Sequence, residues 1–292
     1  MRFSIARRFK IFMSITMIFL LCGLVSVVTR GFNLGVDFTG GTLIDLKFSK
    51  AVSVSSVRDV MDKYDLGNSI IQLETSEGAA ASNSVLIRTG IIDDVKRASL
   101  LGGLENDLGS YEIKRIEKVG ATIGGELVKQ ALLAILLSWV MMIIYVSFRF
   151  EIRFAVAAVL ALVIDVCVTL SYFSFLQLEL DSSFVAALLT IVGFSVNSTI
   201  VIFDRIRENL KTHRRNESMT ELVDNSVWQC MTRSLYTSLT TLFSIVAILV
   251  YGGPTIKNFA LAMFVGFSSG IYTSVLLAAP IWQFFKERFK TA

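Results

Sequence analysis

The chain has 292 residues, 53% of them hydrophobic and 18% charged, with a formal net charge of +4, only two prolines and a mean hydropathy of +0.64. Apolarity of this degree, gathered in long blocks, excludes an ordinary soluble domain and points to the bilayer, where a span takes about 20 apolar residues to cross roughly 30 Å of hydrocarbon. Lysines and arginines lie between the blocks instead of along one face, so the basic balance reads as membrane topology and not as nucleic-acid binding.

The first block, Ile11 to Val28, follows Arg2, Arg7, Arg8 and Lys10. A secretory signal would carry a small-x-small cleavage site after Val28. None follows, so a retained signal anchor is expected. The polar stretch Gly31–Gly125 alternates strand-like and helix-like runs and is expected to fold as a compact domain. Leu43, Ile44, Leu46 and Phe48 make a first strand, and Val54, Val57, Val60, Met61 and Tyr64 have helical spacing. Ile70–Leu73 and Val85–Ile87 read as short strands around a Gly-Ala-Ser-Asn turn, Asp93–Leu108 as a second helix and Tyr111–Val119 as a closing strand. Ser53 or Ser55 would cap the first helix, and Asp93 and Asp94 sit at the positive end of the second. The order βαββαβ is the ferredoxin-like plan.

Five more apolar blocks follow: Leu127–Phe148, Phe154–Leu176, Phe184–Phe203, Met231–Val250 and Ile256–Phe285. The expected architecture is therefore an α-helical membrane protein. Residues 1–30 form the N-terminus and first span, 31–125 the ferredoxin-like domain, and 126–292 the remaining five spans, with a loop at 204–229. Arg and Lys in short loops stay on the cytoplasmic side. The N-terminus, Arg149–Arg153, the stretch with Arg205, Arg207, Lys211, Arg214 and Arg215, and the tail with Lys286, Arg288 and Lys290 all fall on one side. Glu179, Asp181 and the Tyr251-Gly252-Gly253-Pro254 turn fall on the other. Both termini are thus expected in the cytoplasm and the 31–125 domain outside it. Cys22, Cys167 and Cys230 lie in or beside apolar blocks, so no disulfide scaffold is implied.

Gly35-Val36-Asp37-Phe38-Thr39-Gly40-Gly41-Thr42 stands just past the first span, where glycines let the chain turn sharply into a strand. It is no phosphate loop, because no strand precedes it and no Lys-Ser/Thr ending follows. Asp165 lies mid-span, where a carboxylate costs about 2.5–3.5 kcal/mol on insertion scales and needs a partner or a proton. It is a candidate proton or sodium site, and an acid hydrogen-bonded to a neighbouring helix would look the same in sequence. Asn197, Ser198 and Thr240 are its candidate partners; Asn197, Ser198 and Thr199 form a polar stretch that would hydrogen-bond across helices or line a wet path. Asp204, Arg205, Arg207 and Glu208 begin a solvated helix, and Arg233 sits near the start of the fifth span, within reach of the interface. His213, the single histidine, lies among Lys211, Arg214 and Arg215 without the neighbours a metal site needs, and no hydrolytic triad can be assembled. No enzymatic activity, metal or organic cofactor is expected.

The Gly35–Thr42 octet resembles the signature that opens the extracytoplasmic domain in the SecD/SecF family. The resemblance continues through Val119–Leu127, Phe148–Phe154, Gly193–Asn197, Phe203–Asn209, Ser238–Thr241 and Phe259-Ala260, in order and over essentially the whole chain. It is to the SecF half of that family, which belongs with the RND-type transporters. The resemblance implies six spans around one outer domain, whose placement Gly35, Asp37, Phe38, Gly40 and Gly41 would set. It implies ion coupling by H⁺ or Na⁺ without a further cofactor, and a multi-pass location in a bacterial or archaeal cell membrane. It also implies SecD, the SecYEG channel, an emerging preprotein and membrane lipid as partners. Two departures bear on the coupling. The His-Asp common in the third span of SecF proteins is Ile164-Asp165 here, and the Asn-Asp common in the fourth is Asn197-Ser198. Two alternatives stand beside export: half of an RND-type exporter of lipids or small molecules, and a structural brace for an ion-coupled SecD.

Overall fold

The computed structural model of the protein describes residues 4–73, 81–212, 218–253 and 256–288. It forms two compact units, one of residues 34–130 and one of residues 1–33 with 131–292.

The smaller unit is a four-stranded antiparallel sheet with two helices. Its strands are β1 (Gly41–Ser53), β2 (Ile70–Leu73), β3 (Ala81–Thr89) and β4 (Tyr111–Val119), in the order β2-β3-β1-β4. This is the ferredoxin-like βαββαβ arrangement anticipated from the alternation of apolar runs. Numbering the helices of the whole chain in order, with α1 the first span given below and α2 (Val36–Thr39) a single turn, the two helices of this unit are α3 (Val54–Asp62) and α4 (Asp94–Leu108). Ile44, Leu46, Phe48, Val85 and Ile87 from the sheet pack with Val57, Val60 and Met61 of α3 and Leu100 and Leu104 of α4, all essentially out of solvent. Ser53 starts α3 with a reciprocal capping box to Ser56, and the Asp93 side chain accepts from the Lys96 amide at the start of α4. Ala81 and Ser82 were expected to belong to a turn before β3; instead they pair with Ser53 and Val52, because β1 resumes its ladder after an irregularity between Lys47 and Val52. The turn residues before Ala81 lie outside the described residues.

The larger unit is helical. Among the described residues six helices are long and apolar enough to cross a membrane. The first is α1 (Phe9–Arg30), entered through a 3₁₀ turn at Ala6–Arg8. The others are α5 (Ala121–Arg149), α6 (Ile152–Leu176), α7 (Ser182–Lys211), α8 (Met219–Tyr251) and a last helix from Lys257 to Arg288. This last helix is α9 (Lys257–Thr273), a π-helical segment at Ser274–Ala278 and α10 (Ala279–Arg288). The stretch expected as a loop at 204–229 is helical over 204–211 and 219–229, while His213 lies outside the described residues. The reason for the early start of α8 is a capping box: Ser218 accepts from the Glu221 amide, and the Glu221 carboxylate accepts from the Ser218 amide. Arg233 is an exposed mid-helix residue of α8, near the start of its apolar block. In the most apolar 18-residue stretch of each span, α6 and the last helix bury 56% and α7 buries 44%, against 6% for α5 and 11% for α8. The centre of the bundle is therefore α6, α7 and α9.

Candidate functional site

Asp165 is the one charged residue of α6 after Arg153, and it is 0% exposed. Its carboxylate is held from two other spans. Ser269 Oγ and Thr273 Oγ1 of α9 donate to Oδ1 at 2.7 and 2.8 Å, and Ser195 Oγ of α7 donates to Oδ2. Thr169, one turn further along α6, donates to the Asp165 carbonyl at 2.8 Å. Hydroxyl partners on both oxygens satisfy the carboxyl group, which offsets part of the cost of holding it away from water.

The approach of the helices has a local cause. Gly266, Ser269, Gly270 and Thr273 follow i, i+3, i+4, i+7 and share one face of α9. The two glycines leave room for α7. A Cβ on Gly266 would lie 2.2 Å from Ile191 Cδ1, and one on Gly270 would lie 3.2 Å from Ser195 Cβ. This small-xxx-small spacing lets helix backbones pack closely within a membrane. Fully buried Ala157, Ala158 and Ala161 give α6 an equally narrow face, and Phe194 stacks on Phe267 beside the seam, with ring centroids 4.0 Å apart.

The partners expected for Asp165 are elsewhere. Asn197 is exposed, Ser198 donates to the Phe194 carbonyl of its own helix at 3.3 Å, and Thr240 is exposed on α8 with its hydroxyl on backbone carbonyls. Helix phase explains the difference. Two residues past Ser195 turn the helix by about 200°, so Asn197 faces away while Ser195 and Thr199 share the inner face. Ser195, Ser269 and Thr273 were not singled out from sequence; the signal that finds Ser269 and Thr273 is the Gly-x-x-x-Gly stripe of α9.

The other motif residues build local structure elsewhere in the chain. Gly35 precedes α2 in an extended conformation, and Val36, Asp37, Phe38 and Thr39 make its single turn. Gly40 and Gly41 then take φ of +72° and +137°, and a Cβ on Gly41 would stand 2.6 Å from the Thr89 carbonyl oxygen. The backbone of α2 also closes on Gly124, where a Cβ would lie 2.8 Å from the Phe38 carbonyl oxygen. At the end of α7, Arg149 and Asp204 form an ion pair at 3.6 Å, and Arg207 donates to the Arg149 carbonyl at 3.3 Å. Arg149 and Arg207 lie over the Phe150 ring at 5.2 and 5.7 Å. Arg205 pairs with Glu208 and reaches Gln229, and Asn209 donates to Ser226 and Gln229. Most of these groups are exposed, so each ion pair is worth about 0–1 kcal/mol, and their combined effect is to lace the end of α7 to the α5–α6 turn and to α8.

A family model described as the protein export membrane protein SecD/SecF, C-terminal, matches residues 103–288, and one for the SecD/SecF GG motif matches residues 25–52. The protein translocase subunit SecF of Acidaminococcus fermentans is 59% identical over 290 residues, 99% of this chain and 99% of its own. That of Vibrio alginolyticus is 41% identical over 287 residues, 96% of this chain and 87% of its own. The crystal structure of SecDF, a translocon-associated membrane protein from Thermus thermophilus, matches with a TM-score of 0.89 at 34% identity. It covers 99% of this chain, which spans 39% of the SecDF chain.

Proposed function

We propose, from the premise that this chain belongs to the SecD/SecF family of protein-export membrane proteins, that it is a SecF subunit whose buried Asp165 cluster couples an ion gradient, of protons or sodium, to protein translocation. Its partners on this reading are SecD, the SecYEG channel and the emerging preprotein. The observation that carries the coupling is the convergence of three core spans, α6, α7 and α9, on one fully buried carboxylate. A change of charge at Asp165 alters what Ser195, Ser269 and Thr273 can bond to, and so biases the packing of all three helices at once.

One charge crossing 100 mV is worth about 2.3 kcal/mol, so repeated ion steps are enough to shift a domain between orientations a few kcal/mol apart. Those orientations would alternately hold and release the preprotein. No step in this work is covalent. The basic residues flanking the spans support cytoplasmic termini and an outward-facing domain at 34–130. With the usual acid of the fourth span replaced by Ser198, Asp165 is the carboxylate available to this half of the complex.

The test is Asp165→Asn. Asparagine keeps the size and one acceptor oxygen but cannot exchange a proton or offer a full charge to Na⁺. Gradient-driven export should fall while co-purification with SecD in mild detergent survives. Normal export by this variant would refute coupling through Asp165.

A further inference from the structure

We propose that the basic ends of α5, α6, α7 and α10 form a seat for anionic phospholipid headgroups, in which Arg207 and Lys286 are the cations that meet phosphate. The seat requires only that these helices span a bilayer, and it is independent of any coupling at Asp165.

It is built on aromatic rings. Phe150 in the α5–α6 turn, Phe154 of α6 and Trp282 of α10 form a continuous row: the first two ring centroids are 5.8 Å apart, and Phe154 stacks on Trp282 at 4.6 Å. Phe203 of α7 closes on Phe154 at 4.9 Å. Phe154, Phe203 and Trp282 are essentially out of solvent, so close packing holds the row in place. Cations stand over both of its ends. Arg149 and Arg207 share the Phe150 ring, and Lys286 Nζ lies 4.8 Å from the Trp282 centroid.

The charges there do not balance. Arg149, Arg153, Arg207 and Lys286 have two carboxylates among them, Glu151 and Asp204, and Asp204 is paired with Arg149. Of the neighbouring acids, Glu208 is paired with Arg205, and Glu287 accepts from Gln283 at 2.8 Å. Arg207 and Lys286 are half-buried, and among the described residues neither forms an ion pair. Arg207 spends one N–H on the Arg149 carbonyl, and the charges that act on Lys286, from Glu151 and Arg153, oppose one another. Like charges gathered in this way, partly out of water, favour an anion from outside the protein.

The position of the row makes that anion a lipid. Helix α5 ends at Arg149, α6 begins at Ile152 and α10 ends at Arg288, so the row lies at the ends of the spans, where hydrocarbon gives way to headgroups. Apolar surface is left open beside the cations. Phe148, which immediately precedes Arg149, is 95% exposed, and Phe284 is 46% exposed with Arg288 over its ring at 5.6 Å. A soluble phosphate gains nothing from such rings. A phospholipid covers them with its chains while its phosphate oxygens accept from the guanidinium and ammonium groups.

The measurement is native mass spectrometry of the purified full-length chain in mild detergent, titrated with phosphatidylglycerol or phosphatidylcholine, with inorganic phosphate as competitor. Phosphatidylglycerol should bind about tenfold more tightly than phosphatidylcholine, less so as salt is raised, and equimolar inorganic phosphate should not displace it. Arg207→Gln and Lys286→Gln should each weaken phosphatidylglycerol roughly fivefold, the effect of one Lys or Arg at an anionic surface, without changing phosphatidylcholine. Lys286→Arg should retain the preference, as should Arg30→Gln at the far end of α1. The lipid-free thermal midpoint of each variant separates loss of the seat from loss of the fold. Equal affinity for the two lipids, or a preference that survives Arg207→Gln combined with Lys286→Gln, overturns the proposal. Displacement by equimolar inorganic phosphate overturns it in favour of a plain phosphate site.

Discussion

The α7–α9 seam can be tested one methyl group at a time. In Gly266→Ala the added carbon would lie 2.2, 2.5 and 2.9 Å from three atoms of the fully buried Ile191, so that side chain or the helix has to shift. Overpacking of this sort costs about 1–3 kcal/mol. Replacing a mid-helix glycine by alanine returns about 0.5–1 kcal/mol, leaving a net loss of roughly 0–2.5 kcal/mol. The cleaner quantity is the coupling with Ile191→Ala, which removes all three opposing atoms. In that background Gly266→Ala should become neutral or stabilising, so the double-mutant cycle should return about 1–3 kcal/mol of favourable interaction. Equilibrium unfolding of the purified chain in mixed detergent, followed by near-ultraviolet circular dichroism, measures it. Gly270→Ala is the contrast: its Cβ would meet Ser195 Cβ at 3.2 Å and Oγ at 3.4 Å, a fit needing only a few tenths of an ångström. Stability there should change little, while gradient-driven export falls because Ser195 is displaced from Asp165. An additive cycle between Gly266→Ala and Ile191→Ala would refute the idea that this seam assembles the site.

Gly40→Val and Gly41→Val each place a β-branched residue at positive φ, a strain of about 1–2 kcal/mol, with Gly41→Val the more severe because its Cβ also meets the Thr89 carbonyl; export should be impaired with membrane insertion intact, as read by fractionation and an export assay. For topology, Ser99→Cys on the exposed face of α4 should label with an impermeant thiol reagent in intact cells and Lys211→Cys should not; Ser82 is unsuitable because it is buried in β3. The reverse labelling pattern would overturn the outward placement of the sheet domain. Burial, with Glu105 nearby, raises the Tyr111 phenol above its ordinary value of 10.0. A raised folded-state value favours the protonated form, so this contribution to stability is complete below about pH 10 and is lost as pH climbs through the folded-state value. Tyr111→Phe should therefore flatten the alkaline end of the unfolding profile, and an unchanged alkaline loss would contradict that origin.

Much of the fold follows from periodicity, because each rule involved is local. The alternation of Ile44, Leu46 and Phe48 with polar residues marks β1, and the spacing of Val57, Val60 and Met61 marks α3. The limits of these rules show where structure depends on distant pairing. Ala81 and Ser82 look like turn residues until Val52 and Ser53 offer them a ladder, and no window along the sequence contains both pairs. The helix ends have a different cause. Apolar blocks report only the hydrocarbon-crossing part of a helix, whereas α8 begins twelve residues before its block at Met231, where Ser218 and Glu221 supply a capping box. That signal is local and was available in the Ser-x-x-Glu spacing.

The candidate site divides in the same way. Asp165 is conspicuous because a carboxylate inside an apolar span is costly wherever it points. Its partners are determined by the phase of two other helices, and a polar run such as Asn197-Ser198-Thr199 turns through most of a circle, so closeness in sequence says little about which member faces inward. What fixes the phase is packing. Gly266 and Gly270 can approach α7 along only one face of α9, and that same face carries Ser269 and Thr273 to the carboxylate. The glycines and the hydroxyls are thus one feature. The spacing that brings the helices together also sets the oxygens around Asp165, so a change in helix approach and a change in the charge at Asp165 act on the same contacts.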